Sequence, residues 1–219
     1  MIKVNLTEVQ KTIPSHVNLV AVSKTKPVSD IQEAYDAGQK VFGENKIQEM
    51  VSKYDALPKD IEWHMIGHLQ RNKVKHMAHF VSLIHGVDSF KTLIEINKQA
   101  EKHSRIINCL LQAKIANEDS KFGLSFTEIE TILNSNELKS LKNVHVSGLM
   151  GMSTFTDNKL QILNEFESLQ CFYLKMHKTH PNLKILSMGM SGDYQLAIEK
   201  GSNMVRIGSS IFGVRNYNA

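Results

Sequence analysis

The sequence is poor in the residues that mark disulfide-rich, membrane-spanning or low-complexity proteins. Its 219 residues include two cysteines and four prolines. Cys109 and Cys171 form no Cys-x-x-Cys motif and are too few for a disulfide framework, so we expect both to be buried thiols. The first residues lack the apolar core of a signal peptide, and no apolar stretch is long enough to cross a bilayer. These absences predict a soluble cytoplasmic protein with no membrane partner.

The charge balance also argues against a nucleic-acid-binding protein. Lys plus Arg number 26 and Asp plus Glu number 22, which gives a formal net charge of +4. The charges are spread along the chain, and the densest basic stretch covers only residues 71–76. A nucleic-acid site normally needs a concentrated basic patch. We therefore expect no nucleic-acid partner.

Short apolar runs recur along the chain and alternate with segments of helical spacing. Such alternation predicts parallel β–α units, and eight units predict a closed (β/α)8 TIM barrel. A doubly wound open sheet is the structural alternative. The length is near the lower end for a barrel, so we predict a single domain over residues 1–219. The eight predicted strands are 19–22, 40–42, 63–66, 81–84, 106–112, 144–149, 185–188 and 204–207.

A lysine ends the first predicted strand, where an unpaired ammonium is costly. A neutral amine at such a place is a nucleophile that forms a Schiff base with an aldehyde, and pyridoxal 5′-phosphate (PLP) is the obvious aldehyde cofactor. Lys24 is the candidate, and Lys26 is its rival. If the chain stays extended before Pro27, both lysines point to the same side. Periodicity does not separate them, although Lys24 lies closer to the apolar strand.

The loops after the seventh and eighth strands resemble a phosphate site, because barrels often bind phosphate there. Ser191 is placed to be the N-cap of the next helix, where free N–H groups attract an anion. The alternative is that Ser191 only caps its own helix, which is the commoner role of such a serine. Gly208 lets the backbone approach a ligand closely, and Ser209 adds a hydroxyl and an N–H.

Arg206 alternates with Met204 in the eighth strand and should point into the barrel mouth. A guanidinium stays charged and needs an acceptor in an apolar site. A pyridine nitrogen or a phosphate is one possibility. The alternative is a salt bridge to a carboxylate such as Glu44.

Together these segments resemble one family, the pyridoxal phosphate homeostasis proteins (the YggS/PROSC family). The resemblance implies a barrel similar to the N-terminal domain of alanine racemase, and it selects Lys24 over Lys26 as the Schiff-base lysine. It also implies Ser191, Gly208 and Ser209 around the phosphate, Arg206 at the pyridine nitrogen, and Asn45 as a further contact. The segments that carry the resemblance are 21–26, 42–45, 63–70, 120–123, 148–152, 186–191 and 204–209.

The resemblance further implies a protein that binds PLP and supplies or buffers it, with PLP-dependent apoenzymes as recipients. An arginine at the pyridine nitrogen disfavours protonation of the ring, which weakens the electron sink of PLP catalysis. We therefore expect no catalytic residue and no robust turnover, and we favour a monomer. The alternative is a PLP-dependent amino-acid racemase or related enzyme, with His68, Tyr194 or His64 as a second base. A metal enzyme using His64 and His68 is disfavoured, because no cluster of ligands completes a site.

Overall fold

The computed structural model describes residues 1–116 and 122–213. Its parallel strands form a closed barrel in which each strand pairs with its neighbour in the chain and β8 pairs with β1. This confirms the predicted (β/α)8 barrel over an open sheet. The strands are β1 (Asn18–Val22), β2 (Val41–Glu44), β3 (Glu62–Met65), β4 (Leu83–Val87), β5 (Ile107–Gln112), β6 (Val144–Met150), β7 (Ile185–Met190) and β8 (Met204–Ile207).

Helices follow most of the strands and cover the outside of the barrel, and a 3-10 helix (Arg71–His76) follows β3. No helix among the described residues is long and apolar enough to cross a membrane. The helices are α1 (Ile2–Lys11), α2 (Val28–Asp36), α3 (Ile47–Ala56), α4 (Phe90–Glu101), α5 (Phe126–Asn134), α6 (Asn136–Ser140), α7 (Lys159–Thr179), α8 (Tyr194–Glu199) and α9 (Ser209–Phe212).

The core has two layers, because successive strand residues point alternately outward and inward. The larger layer packs the outward side chains of the strands against the helices. The smaller layer fills the barrel interior with a few aliphatic side chains, namely Val20, Leu83, Leu110, Met150 and Met204.

Cys109 is buried as expected, but Cys171 is exposed on α7, so the prediction of two buried thiols is wrong for Cys171. A helix face that contains a cysteine need not be the face that packs inward.

The strand ends place polar loops at one end of the barrel. A turn at residues 23–26 follows β1, and short loops follow β7 and β8. Since active sites of this fold lie at the carboxyl ends of the strands, this end is where a site is expected. Residues 117–121, which include part of the 120–123 segment of the family resemblance, lie outside the described residues.

Candidate functional site at the barrel mouth

A cavity of about 750 Å³ opens at the carboxyl ends of the strands. Its lining comes from the ends of β1, β2, β3, β5, β6, β7 and β8 or from the segments that follow them. Every residue predicted to bind the cofactor lines this one cavity. These residues are Lys24, Asn45, Ser191, Arg206, Gly208 and Ser209.

The two candidate lysines occupy a tight turn and not an extended segment. The N–H of Lys26 donates to the carbonyl of Ser23 at 3.1 Å, and Thr25 between the lysines has φ 64°. The expectation of an extended chain is therefore wrong. The left-handed conformation of a β-branched residue is uncommon and must be held by its surroundings.

The ammonium group of Lys26 is bound to backbone carbonyls at the end of the described chain. The Nζ of Lys26 donates to the carbonyls of Phe212 at 2.8 Å and Gly213 at 3.3 Å. It thus ties the turn after β1 to the end of α9. This second role for Lys26 was not visible in the periodicity, which had left the two lysines equivalent.

A polar cluster of the buried Glu44 and Lys53 with the partly exposed Glu49 holds the turn from the helix side of the barrel. Glu44 is fully buried, and its Oε1 accepts from the Ser23 hydroxyl at 2.5 Å and from Lys53 Nζ at 2.8 Å. Lys53 also donates to the Ser23 carbonyl at 2.7 Å and to Glu49 Oε1 at 2.6 Å. The same Glu49 oxygen accepts from the N–H of Thr25 at 2.6 Å. The residues on both sides of Lys24 are thus anchored.

Burial dominates the electrostatics of Glu44. Desolvation raises the pKa of its carboxyl group, and the nearby Lys53 ammonium opposes that rise. A buried carboxylate without such a partner would tend to take up a proton. Lys53 therefore keeps a charge-assisted anchor beneath the turn.

The loops after β7 and β8 are joined to each other by Ser191. Its hydroxyl oxygen accepts from the N–H of Gly208 at 3.1 Å. The expectation that Ser191 is an N-cap is wrong, because α8 begins later, with Asp193 as its N-cap residue. The Asp193 carboxylate accepts from the N–H of Met190 at 2.6 Å and from the hydroxyl of Ser153 at 2.7 Å.

Gly208 is needed for close packing as well as for access. A Cβ at this position would lie 3.1 Å from the carbonyl oxygen of Val22 in β1. Ser209, the next residue, begins α9. A side chain at position 208 would force this contact to give by a few tenths of an ångström, so glycine lets the loop after β8 lie close to β1.

Arg206 is buried and points into the barrel, as predicted. Its guanidinium donates to the carbonyl and hydroxyl of Ser187 at 3.0 and 2.6 Å, and to the carbonyl of Gly151 at 3.1 Å. The alternative of a salt bridge to Glu44 is wrong, because Glu44 is paired with Lys53.

The guanidinium of Arg206 has N–H donors that take no part in these three hydrogen bonds. It has five N–H donors, and the three bonds use at most three of them. Among residues 1–116 and 122–213, the remaining donors have no hydrogen-bond partner, while Arg206 lines the cavity. Burial lowers the pKa of Arg206 to about 10, and Asp193 opposes the shift, so the group stays charged near neutral pH.

The three candidate bases of the racemase alternative differ in position. His68 lines the cavity, with its Nδ1 3.0 Å from Asp88 Oδ2 and its ring stacked on Phe122. The hydroxyl of Tyr194 instead lies 2.8 Å from that of Thr12. His64 lies inside the barrel, bonded to another histidine. Of the three, the structure leaves His68 in a position to contact a ligand.

Sequence reasoning missed two buried residues that connect to the site. His85 and Ser187 lie inside the barrel, and Ser187 contacts Arg206 directly. The predicted fourth strand ended at Ile84, whereas β4 runs to Val87, so His85 was not placed on a strand. Its alternation with Leu83 was the available signal.

The described residues contain no group of three or more His, Cys, Asp or Glu side chains that could hold a metal ion.

Comparison with known proteins supplies a family match over nearly the whole chain. Residues 1–216 match the family described as alanine racemase, N-terminal domain. A pyridoxal phosphate homeostasis protein from Vibrio alginolyticus is 40% identical over 210 residues, which cover 94% of this chain and 89% of the relative. A protein of the same name from Escherichia coli K12 is 35% identical over 209 residues, covering 94% and 88%.

Solved structures agree with the sequence match. PipY of Synechococcus elongatus PCC7942, solved with PLP bound, is 32% identical and has a TM-score of 0.88, covering 97% of this chain and 100% of its own. Alanine racemase from Clostridium difficile 630 is 14% identical with a TM-score of 0.75, covering 99% of this chain and 56% of its own. At that identity the racemase shares the fold alone.

Proposed function

We propose that the protein binds PLP and takes part in intracellular PLP homeostasis, because the chain belongs to the pyridoxal phosphate homeostasis proteins, within the alanine racemase N-terminal domain family. One observation carries the assignment to the barrel mouth. Lys24, Arg206 and the joined Ser191–Gly208 loops all line a single cavity.

These residues fit the three recognisable parts of PLP. The cofactor supplies an aldehyde, with which a neutral amine forms a C=N bond while one water is released. Lys24 provides the amine for this Schiff base. Arg206 provides N–H donors for the acceptor nitrogen of the ring, and the loops at Ser191, Gly208 and Ser209 provide the phosphate contacts. Asn45 lines the same cavity and gives a further polar contact.

We propose a binding and supply role without robust turnover of amino acids. The Arg206 guanidinium is charged, and a positive group beside the ring nitrogen opposes its protonation. An unprotonated ring withdraws electrons weakly, so the cofactor is held rather than driven through a reaction. The racemase alternative has one specific observation in its favour, the presence of His68 at the cavity.

We further propose that one PLP-binding domain spans residues 1–219, that the protein is a cytoplasmic monomer, and that PLP-dependent apoenzymes receive the cofactor. Both cysteines are free, which is the usual state of thiols in the reducing cytoplasm.

The two lysines give a matched pair of variants to test the binding role. Purified protein should show the visible absorbance of a PLP Schiff base, and borohydride reduction followed by peptide mapping should place the cofactor on Lys24. Lys24→Ala should lose the absorbance, because no amine remains at the site. Lys26→Ala should keep it and instead loosen α9, since it removes the bonds to Phe212 and Gly213. A band lost in Lys26→Ala and kept in Lys24→Ala would contradict the assignment.

A further inference from the structure

A chain of buried hydrogen bonds crosses the barrel interior and ends at Arg206. The Nδ1 of His64 lies 3.1 Å from the Nε2 of His85, and the Nδ1 of His85 lies 3.2 Å from the hydroxyl of Ser187. The Ser187 hydroxyl lies 2.6 Å from Arg206. All four side chains are buried, and the two histidines and Ser187 are not among the residues that line the cavity. We call these four residues the interior chain.

The chemistry of arginine fixes the Arg206 end of the interior chain. A guanidinium only donates, so the Ser187 oxygen must accept from Arg206. The Ser187 hydroxyl hydrogen is then available to donate to His85 Nδ1. It does so when His85 carries its proton on Nε2, and that proton in turn donates to the Nδ1 of His64. His64 accepts there and carries its own proton on Nε2.

Both histidines are neutral in this arrangement. Burial lowers the pKa of His64 to about 3, and burial together with the neighbouring His64 and Arg206 lowers that of His85 well below its ordinary value. The positive charge of the interior chain therefore resides on Arg206. The neutral histidine His85 serves as an acceptor that keeps the Ser187 hydroxyl turned to receive the guanidinium.

We propose that Ser187 and His85 are positioning residues that hold the Arg206 guanidinium against the ring nitrogen of the bound cofactor. The inference rests on the proposed function. The Nη1 group of Arg206 donates to both the carbonyl and the hydroxyl of Ser187, and Nη2 donates to the carbonyl of Gly151. These bonds hold the guanidinium in one orientation beside the cavity that Arg206 lines, before any ligand binds.

An analogue without the ring nitrogen separates positioning from general stability. We would measure the affinity of each variant for PLP and for 1-deazapyridoxal phosphate, in which carbon replaces that nitrogen. Ser187→Ala should weaken PLP binding about tenfold and binding of the analogue less than about twofold, because only PLP offers an acceptor to Arg206. His85→Leu should act in the same direction, and His85→Asn, which keeps an acceptor near the Nδ1 position, should restore much of the loss.

Ser202→Ala is the matched control. Ser202 is also a buried serine between β7 and β8, and its hydroxyl contacts the backbone of Leu186, Met188 and Met204 and not Arg206. Its loss should lower stability without changing the ratio of the two affinities. Equal losses for both ligands in Ser187→Ala, or no loss for either, would overturn the positioning role. Failure of the unmodified protein to bind PLP would overturn the proposed function and this inference together.

A second measurement needs no variant and no cofactor. Nitrogen-15 NMR of the histidine rings reports which nitrogen carries the proton. The interior chain requires the Nε2–H tautomer for both His64 and His85. A proton on Nδ1 of His85 would reverse the direction of the chain and contradict the proposal.

Discussion

The ammonium of Lys53 lies 2.8 Å from the carboxylate of Glu44 and 2.7 Å from the carbonyl of Ser23. This pair sits between α3 and the barrel, where both side chains are withdrawn from water. It anchors the residue that immediately precedes Lys24. A buried ion pair so close to the candidate nucleophile makes the geometry of the turn depend on a charge outside the cavity.

Breaking this pair from one side should be costlier than replacing both partners. Lys53→Met leaves the Glu44 carboxylate buried without its cation, and we expect a loss of about 3–5 kcal/mol in unfolding free energy. Lys53→Met combined with Glu44→Met should lose less than the sum of the single variants. Urea unfolding followed by the fluorescence of the single, buried Trp63 measures all three.

The exposed pair Lys11–Glu8 supplies the control, since both of its side chains are more than half exposed. Lys11→Met should change stability by less than about 1 kcal/mol. Additive losses in the Lys53 and Glu44 double variant would show that the two side chains are not coupled.

The two interior histidines should make the fold sensitive to mild acid. Their pKa values are depressed in the folded state, that of His64 to about 3 from an ordinary 6.5. Between these values the unfolded chain binds protons that the folded protein does not, so stability falls as pH falls. Each histidine contributes a slope of up to ~1.4 kcal/mol per pH unit.

His64→Gln should therefore make the loss of stability shallower as pH falls from about 6.5 to about 5, a range in which most carboxylates stay ionised. His16→Gln, at an exposed position, should leave the slope unchanged. Unfolding free energies measured across this range decide the point. A slope that is the same for the unmodified protein and His64→Gln would mean that His64 is not held neutral.

The Ser191 hydroxyl should matter for ligands that carry a phosphate. It lines the cavity and joins the two late loops through Gly208. Ser191→Ala should weaken PLP binding about tenfold and leave the binding of pyridoxal, which lacks the phosphate, nearly unchanged. Titration of both ligands, monitored by absorbance, tests this. A similar loss for pyridoxal would remove Ser191 from the phosphate site.

The supply role predicts little turnover. Holoprotein incubated with a panel of amino acids should give no sustained racemisation, decarboxylation or transamination, because the charged Arg206 weakens the electron sink. Chiral chromatography of the products is the measurement. Sustained turnover that disappears in Lys24→Ala would favour the racemase alternative. If turnover were also lost in the separate variant His68→Ala, His68 would be identified as the second base.

Much of the fold could be read from the sequence, because buried strands of a parallel barrel are short apolar runs. The eighth strand was predicted with its observed bounds, Met204–Ile207. α1 was overlooked although its buried residues Ile2, Leu6 and Val9 follow a helical spacing. Its exposed Val4 and polar neighbours weaken the apolar pattern.

The site was harder to predict where it depends on the path of the backbone. Thr25 has a left-handed backbone conformation and turns the chain between Lys24 and Lys26. A threonine rarely adopts that conformation, so the sequence did not predict it. Ser191 precedes the helix closely enough to suggest a cap, yet α8 starts at Tyr194. The contact between His85 and Ser187 joins residues far apart in the chain, which only the closed barrel brings together.

The pairing of β1 with β8 places Val20 beside Arg206 and Ala21 beside Ile207. This seam joins distant segments of the chain, and such long-range pairing is slow because a long loop must close first. Lys24 follows one side of the seam, and Arg206, Gly208 and Ser209 belong to the other. A ligand that contacts both sides recognises only the closed barrel and shifts the equilibrium toward it. With the contacts proposed above, bound PLP joins the two sides of this seam, and we expect saturating PLP to raise the unfolding free energy of the protein.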